Sequence, residues 1–179
     1  MNDNRQPVEP VDHAIGRSRG GLTTTLHTLV DGNGRPLVIQ AGPGHGGDSP
    51  MLPVLLGYLR VSRGGPGGPR TRPDALLADK AYFSRAHRVL LQQQGFTAVI
   101  PERCDQQGHR LRRGSAGGRP VSYNAERYKD RNVIERSYDQ LKQWRGLATR
   151  YDKLAVTYRS GTVLRSIILW LRSPIGDTP

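Results

Sequence analysis

Four side chains suited to handling a phosphate recur at helical spacing in the C-terminal half of the chain. They are a phenol, two permanent cations and one carboxylate: Tyr128, Arg131, Lys142 and Glu135. At about 100° per residue, all four fall within an arc of about 60° on one helix, and the apolar residues of the segment fall roughly opposite. This spacing predicts a carboxylate that stays ionised beside a phosphate.

A second candidate carboxylate, Asp79, directly follows the apolar segment Ala75 to Ala78, which predicts a short buried strand. Catalytic groups in open α/β sheets gather at the carboxyl ends of strands. Asp79 and Glu135 together could bind a divalent cation, because Mg²⁺ takes few carboxylates and completes its shell with waters and phosphate oxygens. Taken alone, Asp79 could be a turn or N-cap residue, and Glu135 could simply pair with Arg131.

The sequence does not favour other kinds of reactive site. His27, His45 and His109 lie in different elements and lack the spacing of a zinc site. The single cysteine, Cys104, excludes an internal disulfide and a cysteine metal cluster. The glycines of residues 64–68 are not placed between a strand and a helix, as a dinucleotide-binding loop requires.

The composition indicates a polyanionic partner. The 179 residues carry a formal net charge of +12, with 27 Lys and Arg against 15 Asp and Glu. This excess favours nucleic acid first and an anionic membrane surface second, although a coding bias towards arginine would produce the same enrichment. No segment approaches the length of a membrane span, and the polar N-terminus is unlike a signal peptide. We therefore expect a cytoplasmic, nucleoid-associated protein that does not enter the membrane.

The order of predicted elements indicates an α/β fold. A hairpin turns at Asp31–Gly34, and a helix capped by Asp48 runs to about Leu59. The other predicted elements are a strand at 75–78, a helix at 83–94 closed by Gly95, a strand at 97–100 and helices at 125–144 and 156–171.

We predict one domain at 21–172, with polar tails at 1–20 and 173–179. Within it, residues 102–120 combine many arginines with few apolar side chains, which predicts an arginine-rich loop. Arg110, Arg112 and Arg113 of this loop are candidate DNA contacts.

Three segments resemble the DDE transposases of bacterial insertion sequences. GRSRGGLTTTLHTLVDGNGRPL at 16–37 is similar to the first hairpin of that family, and LLADKAYFS at 76–84 to the strand with its second catalytic aspartate. YKDRNVIERSYDQLKQWRGLATRYDK at 128–153 resembles the helix with the catalytic glutamate, and fits the pattern Y-x2-R-x3-E-x6-K without a gap.

The resemblance implies an RNase H-like fold and Mg²⁺- or Mn²⁺-dependent cleavage and strand transfer of insertion-sequence DNA ends. By the same resemblance, Asp79 and Glu135 are catalytic metal ligands. Arg131 and Lys142 contact DNA near the cleaved end, with Tyr128 supporting them. DNA is the implied partner, and a homodimer is compatible with that role.

The family uses three carboxylates, and the first lies on an opening strand that has no match before Gly16. Neither Asp12 nor Asp31 fits its place. We therefore expect the C-terminal part of a transposase, lacking its first strand and inactive alone, from a decayed copy, a misplaced start codon or a frameshifted pair of reading frames. The alternatives are a non-catalytic basic nucleic-acid-binding remnant and a nuclease that uses two carboxylates.

Overall fold

The computed structural model describes residues 13–172. Residues 1–12 of the predicted N-terminal tail and the whole predicted C-terminal tail, 173–179, lie outside them. The described residues form a mixed α/β fold with two small sheets. They divide into two compact units, one made of 13–28, 39–46 and 139–172, and the other of 29–38 and 47–138. No helix in the described part of the chain is long and apolar enough to cross a membrane.

The first sheet has three strands in the order β1-β2-β3: Gly16–Ser18, Gly21–Val30 and Pro36–Pro43. β1 pairs antiparallel with β2, with Ser18 opposite Gly21. The prediction that residues 1–20 are all tail is therefore wrong for β1. A two-residue turn folds it onto β2, and Gly21 supplies the positive φ, +108°, that this reversal requires.

The predicted hairpin between β2 and β3 is confirmed, and Asp31 organises its turn. The Asp31 carboxylate accepts hydrogen bonds from the backbone N–H of Asn33 and of Arg35, at 3.0 and 2.8 Å. It also forms a buried ion pair with the Arg35 guanidinium at 2.6 Å. Asp31 is thus fully engaged in holding the turn, which explains its place in the sequence without a catalytic role.

The second sheet pairs β4, Ala75–Leu77, in parallel with β5, Thr97–Val99. Both strands were predicted from their short apolar runs. The connection contains a 3₁₀ turn, Lys80–Tyr82, and helix α2, Arg85–Gln93. Two parallel strands require such a crossover connection. Because β4 and β5 are parallel, their carboxyl ends lie at one edge of the sheet.

Both ends of α2 follow from local chemistry. The Ser84 hydroxyl accepts from the backbone N–H of His87, which caps the first turn. At the other end Gly95 has φ +77°, and the N–H groups of Gly95 and Phe96 bond to the carbonyls of Gln92 and Leu91. This is a Schellman ending, so the predicted glycine stop is confirmed.

Helix α1 spans Met51–Tyr58, and the prediction that the Asp48 side chain caps it is wrong. The N-cap is Pro50, which makes no side-chain cap bond. The backbone carbonyl of Asp48 accepts from Met51 N–H at 3.0 Å and closes the preceding turn.

Leucines of α1 fill the core of this unit from two sides. One cluster of buried side chains joins α1 to β4, α2 and β5: Leu52, Leu56, Leu76, Leu91, Phe96 and Ile100. A second cluster packs Leu55 and Leu59 against Val38 of β3. The apolar packing around β4 and β5 fixes the edge at which Asp79 emerges.

The prediction that residues 102–120 form a loop is wrong. They contain helix α3, Cys104–Arg112, and a 3₁₀ turn, Gly114–Gly117. The helix has no buried residue, so it lacks the apolar stripe from which a sequence pattern is read. Asp105 lies in its first turn, while His109, Arg110 and Arg112 lie in its last. These charges complement the helix dipole and stabilise the helix.

The predicted continuous helix at 125–144 consists of α4, Ala125–Tyr128, a 3₁₀ turn, Lys129–Arg131, and α5, Asn132–Lys142. The Asn124 side chain caps its start by accepting from Arg127 N–H at 2.9 Å. The backbone stays right-handed through Tyr128, Lys129 and Asn132, so the path tightens rather than breaks.

The last helices are α6, Arg145–Ala148, and α7, Ala155–Arg172. α7 was predicted at 156–171 and is confirmed, whereas the short α6 was not predicted. The phenol O–H of Tyr158 donates to the carbonyl of Leu147 at 2.9 Å and ties the two helices together.

Candidate active site

Asp79 lies two residues after β4, at the carboxyl end of the strand, and is half-buried. Its Oδ1 accepts from the backbone N–H of Ala81 at 3.3 Å and caps the 3₁₀ turn that follows. The local role as a cap is therefore real. It engages one carboxylate oxygen, which is compatible with metal binding through the other.

The pKa of Tyr82 is affected by groups from helix α5 and from the end of β4. Burial raises the pKa of the Tyr82 phenol well above its usual value, and the charges of Asp48 and Asp79 and the phenol of Tyr138 raise it further. These three groups come from the turn before α1, the end of β4 and the middle of α5. Two carboxylates and one face of α5 therefore lie within electrostatic range of the same phenol.

Tyr128, a member of the predicted helix face, is also affected by the charge of Asp79. Burial raises the pKa of Tyr128, Arg131 opposes this, and Asp79 and Tyr123 add to it. The rings of Tyr123 and Tyr128 meet edge to face, with centroids 5.5 Å apart. Asp79 and Tyr128 therefore lie within electrostatic range of each other across the edge of the sheet.

Arg131 links Tyr128 to Glu135. Its Nη2 donates to Glu135 Oε1 at 2.7 Å, and its guanidinium lies 5.7 Å from the centroid of the Tyr128 ring. The Arg131 side chain is 26% exposed and that of Glu135 is 59% exposed, so the carboxylate faces solvent. The structure thus brings Tyr128, Arg131 and Glu135 together on one face.

Lys142 is the last residue of α5 and is exposed. It lies two helical turns after Glu135 on that helix and belongs to the other compact unit. The structure therefore does not group Lys142 with the other three residues, and its DNA contact stays a prediction.

The three arginines proposed from residues 102–120 differ in their surroundings. Arg110 forms two hydrogen bonds with the Glu102 carboxylate, at 2.9 and 3.3 Å, and this bonding raises the pKa of Arg110. Arg110 therefore anchors α3. Arg112 is exposed and contacts His109, and Arg113 is exposed at the end of the helix, so both face solvent.

The chemistry of the candidate donors suits a hard divalent cation. Asp79 and Glu135 supply carboxylate oxygens, which Mg²⁺ accepts together with waters and substrate phosphates. Among residues 13–172, no group of three or more His, Cys, Asp and Glu side chains could hold a metal ion.

Comparison with known proteins decides the family. The Transposase DDE domain family matches residues 8–164, most of the chain. The chain belongs to the DDE transposases. It is by family an enzyme of DNA transposition, a class that acts on DNA with a divalent metal. The mixed arrangement of helices and small sheets is consistent with the RNase H-like transposase domain that the sequence predicts.

Two relatives support this assignment. One is the protein named "Putative transposase for insertion sequence element IS6501" of Brucella ovis, 29% identical over 155 residues, which cover 84% of this chain and 100% of that protein. The other is "Putative transposase for insertion sequence element IS402" of Burkholderia cepacia, 31% identical over 129 residues. That match covers 72% of this chain but only 54% of the relative. No solved structure matches the chain.

Three residues near the candidate site of this transposase were missed by sequence reasoning: Asp48, Tyr82 and Tyr138. Asp48 was interpreted as a helix cap, although Pro50 already occupies the cap position. Tyr82 follows Asp79 by three residues, a spacing that places both on one short turn. The action of Asp48 and Tyr138 on the Tyr82 phenol depends on tertiary packing, which no local pattern reports.

Proposed function

We propose that Asp79 and Glu135 jointly bind the Mg²⁺ (or Mn²⁺) ion with which this transposase cleaves and transfers insertion-sequence DNA ends. Two observations support the proposal: Asp79 lies at the carboxyl end of β4 with one oxygen outside its cap bond, and Arg131 holds Tyr128 and Glu135 on one face. Asp79 also helps to raise the pKa of Tyr128. The bound ion would help activate the attacking oxygen and stabilise the leaving one.

The side chains around the two carboxylates have separate tasks in this proposal. Arg131 holds the phosphate next to the cut, because its guanidinium can exchange Glu135 for two phosphate oxygens. Tyr128 keeps Arg131 in place through its ring face. Lys142 supplies a second cation further along the DNA, as a point charge rather than a fork.

We further propose that this chain binds DNA and metal but does not cut alone. The family resemblance implies three carboxylates, and it assigns two of them in this sequence, Asp79 and Glu135. Supercoiled plasmid incubated with the protein and Mg²⁺ should therefore stay unnicked. Robust nicking that Asp79→Ala abolishes would contradict this inactivity and would mean that a third ligand comes from within the chain.

The metal site can be tested through DNA binding, without cleavage. Mg²⁺ should increase the affinity for a labelled duplex, because it neutralises Asp79 and Glu135 beside the phosphates. The double variant Asp79→Asn, Glu135→Gln should bind DNA at least as well in EDTA and should lose most of the Mg²⁺ response. Fluorescence anisotropy at constant ionic strength measures both.

The matched control removes two carboxylates elsewhere in the same unit. Asp74 and Glu126 are each 81% exposed and paired with Arg70 and Lys129. The double variant Asp74→Asn, Glu126→Gln makes the same charge change and should keep the Mg²⁺ response of the unmodified protein. An equal Mg²⁺ response in both double variants would overturn the proposed metal site.

A second candidate function is nucleic-acid binding without catalysis through α3. The exposed cations Arg112 and Arg113 favour it. In that case Arg112→Gln with Arg113→Gln should weaken binding and reduce its salt dependence by about two phosphate contacts. Glu135→Gln should then leave both binding and its Mg²⁺ response unchanged, which separates this function from the first.

We also propose that two copies of the chain act together on paired DNA ends, and that DNA binding holds the protein on the nucleoid. The net charge of +12 supports retention by DNA. Salt extraction from lysed cells tests the second statement, since nucleoid-bound protein should be released only at high salt or after nuclease treatment.

A further inference from the structure

Helix α7 exposes a row of aliphatic side chains and buries mainly polar ones. The buried residues of this helix are Tyr158, Thr162, Arg165 and Ser166. The exposed large apolar residues, here called the α7 stripe, are Val156, Val163, Leu164, Ile167 and Leu171. A surface helix normally buries its apolar side and exposes its polar one, so this exposed stripe needs an explanation.

The buried polar face is tightly satisfied, so the helix is not merely rotated from a better position. Arg165 donates to the backbone carbonyl of Gln140 and to the side-chain oxygen of Gln143, and its guanidinium stacks on Trp144. The hydroxyls of Thr162 and Ser166 donate to backbone carbonyls within the helix. Rotating α7 to bury its stripe would break the Arg165 contacts to Gln140 and Gln143, although the intrahelical hydroxyl bonds would turn with the helix.

The α7 stripe is long, apolar and uncharged. At about 100° per residue, its five side chains fall within about 100° of arc along the helix. They are 65%, 39%, 58%, 49% and 76% exposed from Val156 to Leu171. The remaining α7 residue within that arc is Ser160, and Thr157 lies just outside it, so neither brings a charge. A surface without cations on a chain of net charge +12 does not suit DNA.

We propose that the α7 stripe packs against the α7 stripe of a second copy of this chain, with the two helices antiparallel. The stripe is nearly symmetric about a point between Val163 and Leu164. A two-fold axis there places Val156 opposite Leu171 of the partner subunit. It also places Ile167 opposite the small Ser160 of the partner subunit, which lets large and small side chains interdigitate.

The size of the α7 stripe sets the strength of this contact. An 18-residue helix is about 27 Å long, so two stripes would bury on the order of 1,000 Å² together. This area is at the low end for specific interfaces, so we expect a dissociable dimer with a Kd in the micromolar range. Like charges on the two copies repel, so salt should strengthen the dimer while it weakens DNA binding.

This inference rests on the proposed pairing of copies and does not depend on the metal site. Sedimentation equilibrium on the full chain tests it without DNA or Mg²⁺. The protein should dimerise with rising concentration, and Leu164→Glu with Ile167→Glu should weaken the dimer at least tenfold. Leu22→Glu with Leu111→Glu is the matched control, since both leucines are over 70% exposed and lie outside α7.

Cysteine cross-linking tests the predicted axis directly. In a Cys104→Ser background, Val163→Cys or Leu164→Cys should each form a disulfide-linked dimer on mild oxidation, whereas Leu22→Cys should not. Unchanged thermal melting would show that each variant is folded. A protein that stays monomeric at high concentration, or dimers that the stripe variants do not weaken, would overturn the proposal. Binding of a monomer to anionic vesicles through the same leucines would also overturn it.

Discussion

Arg131 is the central side chain of the candidate site, because it contacts both the ring of Tyr128 and the carboxylate of Glu135. An exposed ion pair of this kind contributes about 1 kcal/mol or less to stability. Exchanging Glu135 for another anion would therefore cost the fold little. A phosphate that replaced Glu135 would find a guanidinium already oriented.

Arg131→Gln should therefore weaken DNA binding without destabilising the protein. Loss of one charge-assisted phosphate contact should lower affinity roughly tenfold, with a change in unfolding free energy below about 1 kcal/mol. Anisotropy with a labelled duplex and urea unfolding measure the two effects. Arg136→Gln on the same helix is the control, since Arg136 is also exposed. Equal losses of affinity in both variants would mean that Arg131 contributes only bulk charge.

Tyr158 gives the stability of the protein a predictable dependence on alkaline pH. Burial raises the pKa of Tyr158 above its usual value, with Arg150 opposing the rise. Because the folded pKa is the higher one, this stabilisation is complete below about pH 10 and is lost as pH rises through the folded pKa. Tyr158→Phe should therefore lose less stability between about pH 9 and pH 11 than the unmodified protein. Equal losses on urea unfolding would contradict this.

At the scale of elements, local chemistry fixed much of what could be predicted. The Asp31 turn and the Gly95 stop each act over four or five residues, and both were predicted from residue types at fixed offsets. The Ser84 cap, which is equally local, was not predicted. α3 was missed because it buries no side chain and is held by the Glu102–Arg110 ion pair. No periodic pattern reports such a pair.

The glycine stop of α2 provides a clean test of this local control. Gly95→Ala should destabilise the protein by about 1 kcal/mol, because Gly95 has φ +77° and no atom crowds its missing side chain closer than 3.8 Å. Gly57→Ala is the opposite control, since Gly57 lies within α1 with open space around it and should stabilise by about 0.5–1 kcal/mol. Chemical denaturation showing no loss for Gly95→Ala would contradict the assigned backbone role.

The candidate site was only partly predictable from the same patterns. Tyr128, Arg131 and Glu135 could be grouped because they lie on one helical path, and the 3₁₀ turn between them did not separate their side chains. The effects of Asp79 on the pKa of Tyr128 and of Asp48 on the pKa of Tyr82 join residues that are distant in the sequence. Such non-local contacts have no signature in spacing.

At the scale of the whole molecule, two surfaces divide the work. A basic surface that includes Arg112 and Arg113 suits DNA, and the uncharged α7 stripe suits a second copy. Salt acts on them in opposite directions, which makes the assembly and the DNA binding separable in one titration. The two carboxylates of the proposed metal site belong to neither surface.

Iron-mediated cleavage of the protein tests most directly whether one divalent cation binds between Asp79 and Glu135, as we propose. Fe²⁺ can replace Mg²⁺ at a carboxylate site, and with ascorbate and peroxide it cuts the backbone beside its ligands. We predict fragments ending near Asp79 and near Glu135, suppressed by excess Mg²⁺, lost in Asp79→Asn and retained in Asp74→Asn. Cuts at other places only, or cuts that Asp79→Asn leaves unchanged, would contradict metal binding by Asp79 and Glu135.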